Sequence, residues 1–375
     1  VKYQILVITA AIKSLIDYNY IVLGGEKMSS AQLFPVKKLQ DFSNEILLKL
    51  NVTPGNAEII TDSLLTADLR EVKSHGIVRL PVYIGRIEAG VMKADAPVEV
   101  LNDRSATALI DANNSFGQVA GHKAMKLAIS KAHKNGAGIV AVKNSNHFGI
   151  TAYYSMLALK ECMVGIVLTN ASPAMAPYGT TAALLGTNPL SVAIPAAKQV
   201  PIVLDMSSSV VARGKIRYAA LKNAAIPLGW ALDSEGKPTT DPQKALAGSL
   251  EPIGGVKGSG LSLVIDILCG VLTATALTGE VLNVTDFSGP SKTGHLFCAL
   301  SISSFSDPAK FKESVDAVIQ RIKALPSAGG GPVYLPGEIE HNNTLKNLEN
   351  GIPLDEEVVE SLNKLARKYG ASPLT

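Results

Sequence analysis

Cysteine is scarce in this chain. Cys162, Cys269 and Cys298 are the three present in 375 residues, and no two stand at metal-ligand spacing. An odd, dispersed set argues against a disulfide framework and suits a reducing cytoplasm. Long apolar runs are missing too. The nearest, Leu261 to Leu277, contains Asp266 and is short of the roughly 18 residues of a membrane span, so it reads as a buried helix. Positive charge is not concentrated. The formal net charge is +3 with no long basic run, which argues against nucleic acid as a partner. Ile5-Leu6-Val7-Ile8 with Ala10 and Ala11 starts like a signal core, but Lys13 and Asp17 interrupt it. Residues 1–34 therefore read as an N-terminal extension. His-Glu-x-x-His, Cys-x-x-Cys and Gly-x-Ser-x-Gly do not occur, so no metal site is expected and serine-nucleophile chemistry has no support. Gly-x-Gly-x-x-Gly behind a first strand, the phosphate turn of the common dinucleotide fold, is also missing.

What remains is a globular composition on the apolar side, 47% hydrophobic and 18% charged. That is enough for two or three domains, a large core and broad subunit contacts. Helical periodicity runs over Val36–Leu50 and Asn56–Arg70, with Pro54 and Gly55 between, and again up to Ala89. From about Pro97 the texture turns to strands: Val98–Leu101, Ala106–Asp111, Ile139–Val142, Val164–Thr169, Ser191–Ile194 and Ile202–Leu204. Helices are expected at Gly117–Asn135, Ser207–Ala225, Gly258–Leu277, Pro308–Leu325 and Glu356–Tyr369. The class is mixed α/β with helical ends.

The most informative string is Ser74-His75-Gly76-Ile77-Val78-Arg79. In a helix, His75 and Arg79 share one face with Cβ atoms about 5–6 Å apart. A guanidinium fork fits a carboxylate, and an imidazole trades protons near neutral pH. Together they suit a small acid held by its carboxylate. Asn144-Ser145-Asn146-His147-Phe148-Gly149 follows a strand and offers a second imidazole. Thr169-Asn170-Ala171-Ser172-Pro173 and Gly186-Thr187-Asn188-Pro189 are small polar loops. Asp205-Met206 leads into Ser207-Ser208-Ser209, read as a helix start with either a capping or an anion-binding role. Gly254-Gly255-Val256-Lys257-Gly258-Ser259-Gly260 joins glycines to a cation, which suits phosphate. Taken alone, most of these strings are better explained by turn and cap chemistry, and Asn144 to Gly149 equally well. Asp111 to Gly117 reads as structural.

In order along the chain, these strings resemble the malate/L-lactate dehydrogenase family, which is distinct from the Rossmann-type malate and lactate dehydrogenases. The matching strings are Ala67-Asp68-Leu69-Arg70 with Ser74-His75-Gly76, Phe116-Gly117-Gln118, Asn144 to Gly149, Gly186 to Pro189, Leu204-Asp205-Met206, Ala212-Arg213-Gly214-Lys215, Lys257-Gly258 and Leu335-Pro336-Gly337-Glu338. They cover about residues 35 to 345. Relatives in that family include sulfolactate, ureidoglycolate and diketogulonate oxidoreductases and cyclic imino-acid reductases. Ser259 departs from the family's usual aromatic or His after Lys-Gly.

The resemblance implies an NAD(P)-binding α/β domain that is not Rossmann, built on a mixed, largely antiparallel sheet, with helical domains from the chain ends. The implied division is residues 35–100 with about 305–375 as a helical substrate and dimerisation domain, and 101–304 as the NAD(P) domain, with a helical insertion at about 207–278. It implies a cytoplasmic homodimer and hydride transfer between NAD or NADP and a small 2-oxo or 2-hydroxy acid. Malate/oxaloacetate and lactate/pyruvate lead. A cyclic imino acid, or a silent ligand-binding homologue, is the alternative. By resemblance Ser74, His75, Arg79 and His147 are the catalytic group, with the choice of principal acid/base between the two histidines open. Ser172, Asp205, Met206, Ser207, Lys257, Gly258, Gly337 and Glu338 are the implied cofactor contacts. The choice of NAD or NADP is open.

Overall fold

A computed structural model describes residues 31–375. The extension expected over residues 1–34 lies, apart from its last four residues, outside the described residues. In chain order the strands are β1 (Gln32–Phe34), β2 (Glu99–Asp103), β3 (Thr107–Asp111), β4 (Ala137–Ser145), β5 (Met163–Thr169), β6 (Leu190–Ile194), β7 (Ile202–Met206), β8 (Ala231–Leu232), β9 (Ser249–Leu250), β10 (Thr293–Ser301) and β11 (Ile352–Leu354). Seven of them make one sheet in the order β2-β3-β4-β10-β5-β6-β7. Of its neighbouring pairs only β3 and β4 run parallel. The sheet is thus mixed and largely antiparallel, unlike the parallel sheet of a Rossmann domain.

Alternation dictates the sheet's buried face. Val140 and Val142 on β4, Val167 on β5 and Phe297 and Ala299 on β10 all have no exposure. The helix Gly117–Asn135 lies on them through Ala120, Ala124, Ala128 and Ala132. Their spacing of four puts small side chains along one stripe, so the helix comes close. At Gly138 a Cβ would lie 1.9 Å from the Ala128 carbonyl oxygen. Gly136, with φ +80°, closes that helix and turns the chain into β4.

A second core joins the first and last helices of the described residues. Helices Val36–Lys49, Pro54–Leu69 and Leu80–Glu88 pack with helix Glu356–Tyr369 through Leu39, Ile46, Ile60, Leu64, Ile84 and Leu362. β1 pairs antiparallel with β11, which ties the segment before the first of these helices to the segment before the last. A smaller cluster of Met175, Leu185, Ile216, Ile226, Ala231 and Leu250 fills the region between β5 and β9.

Four local expectations are corrected. Pro54 and Gly55 do not separate two helices; they open the second one, whose N-cap is Thr53, because Pro suits the first helical turn. No helix starts at Ser207. Ser208 donates to the Thr187 carbonyl and Ser209 to that of Val211, which holds the segment as a loop until Arg213, where a helix runs to Leu221. The Gly258–Leu277 stretch forms helix Val256–Asp266 and a π-helical turn over Ile267–Val271. It is not buried all round: Leu263, Val264, Ile267, Val271 and Leu272 are exposed. Lastly, β10, a strand not among those expected, is the central strand of the sheet; its Leu296 to Leu300 is the apolar run that marks it. The helix Glu338–Asn350 is also not among those expected, because its sequence is too polar for an apolar periodicity to show.

Candidate active site

The pairing register brings the candidate loops to one end of the sheet. β3 and β4 are parallel with Asp111 opposite Lys143. β10 is antiparallel to both β4 and β5, placing Thr293 opposite Ser145 and His295 opposite Thr169. Leu190 then stands opposite both Leu168 and Met206. The carboxyl ends of β4, β5 and β7 and the start of β6 therefore share an edge, and from it leave the loops carrying His147, Ser172, Asn188 and Ser207.

The Ser74–Arg79 string reaches this edge from the helical layer. It is not one α-helix but two 3-10 turns, Lys73–His75 and Ile77–Arg79, broken at Gly76 with φ −84° and ψ −152°. His75 and Arg79 still converge. The Arg79 Nε donates to the Ser74 carbonyl oxygen at 2.6 Å, which leaves the end of the guanidinium fork for an anion. The His75 Nδ1 hydrogen-bonds the Ser74 hydroxyl at 2.8 Å. The two imidazoles, 72 positions apart in sequence, stack with ring centroids 5.2 Å apart and planes 24° apart.

Tyr83, one turn beyond Arg79, completes the group. Its hydroxyl lies 2.7 Å from the His147 Nδ1, and the Gly149 backbone N–H points at the same nitrogen from 3.4 Å. A backbone N–H can only donate, so Nδ1 accepts and the neutral ring carries its proton on Nε2. Beneath this loop Phe148 stacks on His295, 4.3 Å between centroids and 5° between planes. His295 is fully buried and pinned at both nitrogens by Thr169 Oγ1 (2.6 Å) and Ser145 Oγ (2.8 Å). Tyr83 and His295 were both missed in the sequence. The spacing His75, Arg79, Tyr83 at steps of four carried the signal for Tyr83; nothing local marks His295.

The electrostatics favour neutral imidazoles. Burial, then the Arg79 charge, pushes His75 down to about 4. Burial, then His75 and Arg79, holds His147 well below the usual range. Burial pushes the Tyr83 hydroxyl up to about 12. Asp68, 3% exposed, is pushed up to about 7 by burial against the opposing Ile77 N–H.

Several of the implied cofactor residues stand on loops that leave this edge; Gly337 and Glu338 do not, because Gly337 packs on Val203 toward the other end of β7, opposite Ala193. Asn188 bridges two of their loops, accepting from the Ala171 N–H (2.8 Å) and donating to the Ser262 carbonyl (2.9 Å). The Ile253 N–H donates to the Ser208 carbonyl, which docks the Lys257-Gly258 helix start on the Ser207 loop. Asn283 donates to the Ser172 hydroxyl at 3.1 Å. Asp205 accepts the Ala152 N–H at 2.9 Å, tying β7 to the segment after His147. The protein packed around its carboxylate raises Asp205 to about 6, although the residue is exposed. Gly337, with φ +92°, lies against Val203, whose N–H donates to Pro336. Glu338 is buried and its carboxylate is engaged by Lys323 and by the Leu335 N–H, so it fixes this turn. Gly258 is likewise a close-approach position, since a Cβ would lie 2.3 Å from the Ile253 carbonyl oxygen. Among the described residues no group of three or more His, Cys, Asp or Glu could hold a metal, and no helix is long and apolar enough to cross a membrane.

A non-Rossmann sheet with paired histidines and an arginine at its loop edge is a recognisable combination. The malate/L-lactate dehydrogenase family profile matches residues 34–363. The malate/(S)-sulfolactate dehydrogenase of Methanothermus fervidus is 42% identical over 322 residues, which are 86% of this chain and 94% of that one. The malate dehydrogenase of Pyrococcus abyssi is 37% identical over 96% of this chain and 99% of that one. The solved sulfolactate dehydrogenase from Methanocaldococcus jannaschii superposes with a TM-score of 0.87 at 38% identity, covering 91% of this chain and 98% of that one. The chain belongs to the malate/L-lactate dehydrogenase family. It is an NAD(P)-dependent hydroxy-acid dehydrogenase.

Proposed function

We propose that this enzyme interconverts a small 2-oxo acid and its 2-hydroxy acid, with malate/oxaloacetate as the leading pair and lactate/pyruvate next. The observation that carries this is the stack of His75 on His147 beside the open end of Arg79. The relatives named for malate support the choice of pair.

Arg79 holds the substrate carboxylate by charge-assisted hydrogen bonds. Ser74 braces both partners, through its hydroxyl on His75 and its carbonyl on Arg79. In the oxidative direction neutral His75 takes the hydroxyl proton at Nε2, the nitrogen that Ser74 leaves open. In reduction it returns that proton to the forming alkoxide. An anion bound at Arg79 offsets the cationic charge that helps keep His75 neutral, so a substrate carboxylate brings the imidazole toward a useful proton affinity. His147, held on its Nδ1 side by Tyr83, directs its Nε2–H toward the same space. General acid/base help of this kind is worth about 10²–10⁴-fold.

The residues present fit a dinucleotide. The Asp205 carboxylate suits ribose hydroxyls, and the exposed Lys257 ammonium at a helix start suits phosphate. When bound, the nicotinamide supplies or accepts the hydride. The exposed face of Leu263, Val264, Ile267, Val271 and Leu272 suits a second copy of the chain, giving a homodimer. A monomer at micromolar concentration in sedimentation would remove that reading. The three scattered thiols fit a cytoplasmic setting.

The decisive measurement is a panel of oxaloacetate, pyruvate and a cyclic imino acid with NADH and NADPH, on the wild type, His75→Ala and His147→Ala. His75→Ala is expected to lower turnover about 100-fold or more with cofactor affinity kept. Intact turnover in His75→Ala alongside its loss in His147→Ala would reverse the two histidine roles. Faster turnover of the imine than of either oxo acid would transfer the reading to imino-acid reduction.

A further inference from the structure

We infer that Asp68 is a positioning residue for the substrate site, acting by capping the 3-10 turn that presents Arg79 and fixing its angle to His75. The inference rests on the roles proposed for His75 and Arg79. Asp68 stands in the last turn of helix Pro54–Leu69 with 3% of its surface exposed. Its Oδ2 accepts the Ile77 N–H at 2.7 Å. Ile77 is the first residue of the turn Ile77–Arg79, whose own cap position is Gly76 and provides no side chain. The turn therefore takes its cap from a residue nine positions earlier.

The same carboxyl is the wall against which the break between the turns is folded. A Cβ on Gly76 would lie 1.8 Å from Asp68 Oδ1 and 2.2 Å from its Cγ. Gly76 thus sits against the carboxyl with no room for a side chain, and the two 3-10 turns break there, between His75 and Arg79. On the far side the Arg79 N–H donates to the Gly76 carbonyl at 2.9 Å, so the fixed glycine passes the constraint to the arginine. One buried carboxyl thereby sets the relation between a proton-transfer group and an anion-binding group that no shared helix holds. A misplacement near 1 Å at such a pair is felt as about 100-fold in rate.

The test compares Asp68→Ala, Asp68→Asn and His75→Ala as full-length purified enzymes. The readouts are kcat and KM for the best 2-oxo acid, the dissociation constant of the reduced cofactor by fluorescence, and the melting temperature. Asp68→Ala is expected to raise the 2-oxo acid KM tenfold or more and to lower kcat, with cofactor affinity within twofold. Asp68→Asn keeps an acceptor for the Ile77 N–H and is expected to recover most of the KM. Wild-type kinetics in Asp68→Ala overturn the inference. So does a loss that tracks only the folded fraction, or an Asn variant as impaired in KM as the Ala variant. If His75→Ala itself turns over normally, the reading of the site fails instead. A damaged His75→Ala beside an undamaged Asp68→Ala removes the inference alone.

Discussion

In the proposed function much of the chemistry rests on single side chains, Arg79 first among them. Its Nε is tethered to Ser74, so only the end of the fork remains for a substrate carboxylate. A lysine has neither the tether nor the fork. Arg79→Lys is therefore expected to raise the 2-oxo acid KM about 10- to 100-fold, the worth of a charged hydrogen bond, with little change in cofactor binding. An unchanged KM in steady-state assays would take Arg79 out of the carboxylate site. The residue scale is also where sequence reasoning reached furthest. Ser74, His75, Arg79 and His147 stand in recognisable strings and come together in the structure. Tyr83 and His295 do not stand in such strings, because a tyrosine on an apolar helix and a histidine in a strand look like core until their partners are known. Asp68 lay inside a matching string, yet its contact with Ile77 follows from a turn geometry that an α-helical reading of residues 74–79 does not contain.

Elements carry the site by how closely they pack. β4 delivers the His147 loop, and the helix Gly117–Asn135 lies against it with room for no side chain at Gly138. Gly138→Ala drives a methyl into the Ala128 backbone, so the helix must shift. Overpacking of this kind costs about 1–3 kcal/mol, visible as a lower urea midpoint at unchanged slope. Full wild-type stability would show that the contact has slack. The helices and strands with clean periodicity were legible: Gly117–Asn135 and Glu356–Tyr369 end where the sequence says they end. Where local chemistry competes, the reading failed. The Ser207–Ser209 hydroxyls bind loop carbonyls in place of starting a helix. β10 was not among the expected strands, although Leu296 to Leu300 is an apolar run.

For the molecule as a whole, a buried carboxyl and a half-buried imidazole pull stability in opposite directions with pH. Asp68 rises from 3.8 to about 7 on folding, so its favourable contribution is complete below 3.8 and is lost as pH rises through 7. His75 falls from 6.5 to about 4, so its contribution is complete above 6.5 and is lost as pH falls through 4. Lys73 favours and Glu71 opposes the charged carboxylate of Asp68. Asparagine at 68 does not titrate. The melting temperature of Asp68→Asn relative to wild type is therefore expected to improve between pH 4 and pH 8, by on the order of a few kcal/mol in stability. A pH-independent difference in calorimetry would mean that Asp68 titrates as an ordinary carboxyl.

Local sequence determined the elements with strong period and clean caps, and the residue types able to grip and protonate a small acid, because propensity, capping and side-chain chemistry are properties of a few neighbouring residues. Tertiary pairing decided the rest. Antiparallel registers through β10 turned four loops, far apart in the chain, toward one edge. The meeting of His75 with His147, of Tyr83 with His147 and of Asp68 with Ile77 depends on distances across the fold, which no local pattern encodes.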